Sequence, residues 1–132
     1  MMRIHKATSG TAVGANGSAT ANETTPEPLS GHLVGVAVMY RDSPPGATTD
    51  VTIVAVAENG APEQAILTLT DQATNIVRQP RAQAHTVTGT ALATAGSEEI
   101  FVPIALMGQR IKVTIAGANA GDSADVLLLV EE

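Results

Sequence analysis

The chain has 132 residues, 13 Asp and Glu against 7 Lys and Arg, a formal net charge of -6, and neither cysteine nor tryptophan. That length fits one domain, and so acidic a chain repels a phosphate backbone, so no nucleic acid partner is expected. The missing thiols exclude a disulfide framework, a thiolate metal site and a cysteine nucleophile, and with Tyr40 and Phe101 as its aromatics the chain has no stacking platform for sugars or bases.

Hydrophobic residues make up 44% of the chain, enough for a folded core that must be aliphatic. No apolar run approaches the ~20 residues that span a bilayer. The longest is Val126 to Val130. The basic start Met-Met-Arg-Ile-His-Lys is followed by Ala, Thr, Ser and Gly rather than an apolar stretch, so neither a signal peptide nor a membrane partner is expected.

Residues 7–25 read ATSGTAVGANGSATANETT, with Val13 the largest apolar side chain, and Pro26 and Pro28 close the stretch. Such a segment buries too little apolar area to offset its own ordering entropy. Residues 1–30 therefore read as an extended N-terminal arm, and residues 31–132 as the folded domain. The arm's small, β-compatible residues could lie along a sheet edge of this subunit or of a neighbour.

Period-two patterning begins at Gly31. In HLVGVAVMYR it sets Val34, Val36, Val38 and Tyr40 against Leu33, Gly35, Ala37 and Met39. Ser43-Pro44-Pro45-Gly46 forces a turn. Asp50 to Ala57 is a second strand, ended by the hairpin signal Glu58-Asn59-Gly60, and Ala65 to Thr70 is a third. Residues 71–97 are less regular. Within them His85 to Thr94 reads either as a weak threonine-lined strand or as part of a structureless connection of about 25 residues, which usually has a function or a partner. Glu99 to Ala105 alternates, with Pro103 marking an edge or a bulge. Gln109 to Ile115 alternates most cleanly, with Ile111, Val113 and Ile115 inward. The closing strand is apolar on both parities from Val126 to Val130, so it is expected to be covered on both faces, and a second subunit could cover one of them. With no sustained 3.6-residue period, the whole reads as all-β, an antiparallel β-sandwich or jelly roll of about eight short strands.

Chemistry is sparse. His5, His32 and His85 stand far apart, in no metal-ligand spacing. His32 reads as a strand-end residue. No serine sits in a G-x-S-x-G elbow, and no glycine pattern matches a phosphate-binding loop. Asn119, Gly121, Asp122 and Asp125 lack the spacing of a calcium loop and read as a hairpin turn. The sequons at Asn16 and Asn22 carry little weight without a secretion signal. Arg78 and Arg81 flank Pro80 and suit pairing with a partner's acidic residues. No catalytic, cofactor-binding or metal-ligating residue is expected, and no cofactor.

The order of RIHKAT and a Gly/Ala/Thr-rich arm, the strand HLVGVAVMYR, then TTDVTIVAVAENGAPEQAILTLTD, and the closing IKVTIAGANAGDSADVLLLVEE, is similar to small structural proteins of tailed bacteriophages. Among them it resembles the head decoration, or cement, proteins. The resemblance implies a non-enzymatic virion protein, made in the host cytoplasm, that binds the major capsid protein on the capsid surface through arm and loop contacts and also binds itself as a dimer or trimer. The candidate contacts are Ile4, His5, Lys6, Val13, Arg78, Arg81, His85 and Phe101. A head–tail joining or tail protein, and a glycan-binding attachment domain, are the alternatives.

Overall fold

A computed structural model describes residues 1–41 and 44–132. Asp42 and Ser43, the latter read as the first residue of the turn after the first long strand, lie outside the described residues. Ten strands form: β1 (Met2–Thr8), β2 (Ala19–Thr24), β3 (Leu29–Tyr40), β4 (Asp50–Ala55), β5 (Gln64–Leu69), β6 (Ile76–Arg78), β7 (Arg81–Gln83), β8 (Phe101–Gln109), β9 (Ile111–Ala118) and β10 (Ala124–Glu131). They make two antiparallel sheets. The larger runs β1-β10-β3-β8-β7, with β6 also paired to β3, and the smaller runs β2-β9-β4-β5. The fold is an all-β, antiparallel β-sandwich, as the period-two patterning predicts.

The core lies between the sheets and is aliphatic. Leu33, Val36, Val38, Val126, Leu128 and Val130 of the larger sheet meet Val51, Ile53, Ile111, Val113 and Ile115 of the smaller, each 1% exposed or less. Tyr40, its one aromatic, is buried with its hydroxyl donating to the Gln72 carbonyl at 2.6 Å. Burial raises the Tyr40 pKa above its ordinary value. Gln109 is fully buried and satisfied: its amide donates to the Pro62 carbonyl at 2.8 Å and the Val56 carbonyl at 3.1 Å, and its oxygen accepts from Gln64 at 2.8 Å. It ties the end of β8 to the β4–β5 hairpin across the sandwich.

Several expectations need correction. The segment 1–30 is no separate arm but lies along sheet edges of its own subunit, one of the two placements its small residues allow. β1 pairs with β10 from Met2↔Glu131 to Thr8↔Asp125, β2 pairs with β9, and Leu29 already opens β3. Backbone pairing and the buried Ala7, Ala12 and Ala19 hold the segment, and a composition-based reading underestimates both. The parity assigned to β3 slips by one residue. Leu129 opposes Gly35 while Val130 opposes Leu33, so Val34 is the extra residue of a bulge, and Leu33 and Val36 both point inward. Gly31, at φ 123°, suits that crowded stretch, because a Cβ there would collide with the Glu131 carbonyl.

His85 to Thr94 is not a strand of either sheet. Residues 84–100 form an exposed lobe of two tight turns, laced by Leu92 N–H to the Ala84 carbonyl at 2.8 Å and Ile100 N–H to the Leu92 carbonyl at 3.2 Å. The connection at Asn119 to Asp122 is no hairpin, because β9 and β10 belong to different sheets and the turn carries the chain across the sandwich. There the buried Asp122 carboxylate accepts from the Asn119 and Gly46 N–H groups, each at 2.9 Å. A tight turn between β4 and β5 is present as expected, with Asn59 and Gly60 at φ 52° and 84°.

Candidate functional site

The two sheets share a core but differ outside. Across the smaller sheet, Asn22, Thr114, Thr52 and Thr68 stand side by side in register on β2, β9, β4 and β5. The corresponding row across the larger sheet is Lys6, Leu127, Ala37 and Val77 on β1, β10, β3 and β6. Beside it lie Ile4 and Leu129, also in register.

Apart from Lys6, these residues line an open groove of about 260 Å³ whose walls include Ile4, Val34, Ala37, Val77, Leu127 and Leu129. No charged side chain lines it. Ile4 is 65% and Val77 60% exposed, so water covers apolar surface here that a soluble sheet face normally replaces with polar groups. The groove exists because β10 is apolar on both parities: Val126, Leu128 and Val130 go to the core, and Leu127 and Leu129 go outside.

Two cations flank the groove. The Arg78 guanidinium donates to the Val77 carbonyl at 2.9 Å, and the Arg81 guanidinium to the Val34 carbonyl at 3.1 Å. Both carbonyls belong to groove-lining residues. Among the described residues, the other three arginines each have an acidic partner: Arg3 with Glu132, Arg41 with Asp125 and Arg110 with Glu58. Arg78 and Arg81 have none.

The eight residues singled out from sequence therefore divide, and Lys6, on β1 opposite Leu127, lies outside the groove in the seam between β1 and β2. Ile4, Arg78 and Arg81 come together around the groove. His5 sits at 3.0 Å from the Glu132 carboxylate on β1. Val13 is an exposed residue of the β1–β2 connection, bridged to Thr20. His85 and Phe101 belong to the exposed lobe and the beginning of β8. His32 is no strand end but an exposed position within β3, between Glu131 and Ala105.

Sequence reasoning missed Val34, Ala37 and Val77 as surface residues of one site. The signal was present only in the doubly apolar run of β10, because the neighbours of that run depend on strand order.

A second concavity of about 320 Å³ opens between β1 and β2, where the sandwich is not closed. Lys6 and Arg41 face Glu23 and Asp125 there, with Arg41 Nε 3.8 Å from the Asp125 carboxylate. Charges of both signs largely cancel, as along a solvated seam. Among the described residues no three His, Asp or Glu side chains gather as metal ligands would.

No protein-family model matches this chain, and no curated protein matches it. Among solved structures it is similar to one titled Family 16 Carbohydrate Binding Module-2, with a TM-score of 0.38 and 14% identity over 89% of this chain and 73% of that one. A likeness of that size adds nothing to what strand pairing already establishes about the architecture.

Proposed function

We propose that this protein is a non-enzymatic structural module of a virion, a decoration protein that attaches to the outer surface of a tailed-phage head. The observation that carries the reading is the apolar groove on the outer face of the larger sheet, in a chain of net charge -6. An exposed apolar patch within a polar surround is the usual mark of a protein–protein contact, and the net negative charge keeps the unbound module dispersed.

A decoration protein binds only the assembled shell, and so stabilises it by mass action, each copy adding its own binding free energy. The reading makes this rigid sheet face an assembly surface of the decorated head. Residues 1–30, built into the sheets as β1 and β2, contribute as part of that face, through Ile4, rather than by reaching out. It needs no cofactor and no bond-making chemistry.

The test is immunogold electron microscopy of phage particles from cultures that express the chain, with Val77→Asp as control. Labelling over the head surface, lost in the variant, is the expected result. Labelling confined to the neck or tail would transfer the chain to head–tail joining, and unlabelled particles would overturn a virion role altogether.

A further inference from the structure

The groove has a complement elsewhere on the same molecule. The lobe of residues 84–100 stands off the sandwich, joined to it through β7 and the first residues of β8. Its side chains are almost all exposed. Val87, between Thr86 and Thr88 in the first turn, is completely exposed, and Ile100 and Phe101 at the base are 37% and 52% exposed.

A lobe that served only to connect two strands would gain nothing from a bare valine at a turn. Threonine-rich turns with one apolar residue at the apex have the shape of a knob.

Charge also fits. The lobe's formally charged residues are Glu98 and Glu99, neither of which has an ion-pair partner among the described residues. The groove is apolar and is flanked by Arg78 and Arg81, the two arginines without acidic partners among the described residues, each held against a carbonyl of a groove-lining residue. Unpaired anions and apolar side chains on the lobe thus match unpaired cations and apolar walls at the groove.

We infer that the occupant of the groove is the lobe of a second copy of this chain, with Val87 seated among Val34, Val77 and Leu129 and with Glu98 and Glu99 facing Arg78 and Arg81. This rests on the reading of the groove as an assembly surface of the decorated head and narrows it, since the groove then joins neighbouring copies to one another rather than a copy to the shell. It fails separately from that reading, because particles are labelled or not regardless of whether the free chain associates.

Donors and acceptors of charge on two different elements make the contact directional, and copies then close as a reciprocal pair or a ring. Directional pairing also lets a molecule of net charge -6 associate with itself, since only the cationic rim meets the anionic lobe.

Sedimentation velocity on the full chain, from about 10 μM to about 1 mM, tests this with probes on each half of the contact. The expected result is a concentration-dependent species of two or more copies, weakened by salt. Val87→Asp, the pair Arg78→Glu with Arg81→Glu, and the pair Glu98→Lys with Glu99→Lys should each raise the dissociation constant about tenfold or more. All four reversals in one chain should return it to within about threefold of the starting value, since the attraction is restored with its sign exchanged.

All substituted positions are on the surface, and unchanged circular dichroism verifies that each variant folds. A chain that stays monomeric at the highest concentration would overturn the inference. So would dissociation by Val77→Asp but not by Val87→Asp, which would mean that the sheet faces pair with each other, or a fourfold reversal that fails to restore association.

Discussion

The outer faces of the two sheets are built on the same core and follow the same alternation, yet one presents Asn22, Thr114, Thr52 and Thr68 where the other presents Lys6, Leu127, Ala37 and Val77. Threonine satisfies β-geometry and water together, because its branched Cβ suits the pleat and its hydroxyl stays hydrated. Leucine and valine satisfy only the first requirement. The smaller sheet is therefore finished as a solvent face, whereas the larger is left with apolar surface that only another molecule can cover. Folding accounts for the inner faces of both sheets; the outer face of the larger one is the surface proposed for binding.

The sharpest way to break this contrast is on β10, where neighbouring residues face opposite ways. Leu128→Ala should cost about 3 kcal/mol by opening a cavity in the core, while Leu129→Ala should cost under about 1 kcal/mol in the monomer. Urea unfolding of both variants decides it, and equal costs would mean that the outer residue is part of the fold rather than of a contact.

Next in size is the polar tie between the sheets. Gln109→Leu leaves the Pro62 and Val56 carbonyls and the Gln64 amide without their partner, at a cost of about 2 kcal/mol. A neutral result by the same measurement would show that water replaces the glutamine at no loss.

Exchanging the character of the faces gives a smaller change in stability but a clear change in binding. Leu127→Thr with Leu129→Thr makes the larger sheet resemble the smaller, and should alter unfolding free energy by about 1 kcal/mol while lowering the fluorescence of a dye that reports exposed apolar surface. Thr52→Leu with Thr114→Leu should raise that fluorescence. If neither pair moves it, the groove is not the accessible apolar surface.

The smallest effect concerns pH. The Tyr40 pKa is raised in the folded state because burial disfavours phenolate, so its contribution is intact below the ordinary value of 10.0 and is lost as pH rises through the folded pKa. Stability of the parent should thus fall more steeply above about pH 10 than that of Tyr40→Phe. Parallel curves would indicate that the phenol ionises without opening the larger sheet's end.

Much of the architecture was legible in the residues. Ile111, Val113 and Ile115 alternate without interruption and are all fully buried. The alternation of Val36, Val38 and Tyr40 likewise marks an inward face, but two residues earlier the same rule misplaces Val34. A bulge is a property of two strands, since it adds a residue to one relative to the other, and no single-strand pattern contains it.

The N-terminal segment was misjudged for a related reason. Its side chains are too small to announce a strand, and what holds β1 and β2 is hydrogen bonding to β10 and β9, more than 80 residues away in the chain. Of the groove, the apolar excess of Val126 to Val130 was visible, and so were Ile4, Arg78 and Arg81 as separate candidates. Their meeting was not.

What the sequence determined by itself is the class of structure and the material of its core: period-two alternation, Gly/Pro/Asn turns and a scarcity of aromatics leave an aliphatic β-sandwich as the consistent outcome. Those are local properties, because alternation and turn chemistry act within a few residues. Tertiary structure alone decided which strands became neighbours, and with them that the surplus leucines of β10 lie between Ile4 and Val77 to make one apolar groove. Strand order is set by the closure of long loops against the shared burial of both sheets, a balance summed over the whole chain and written in no single segment of it.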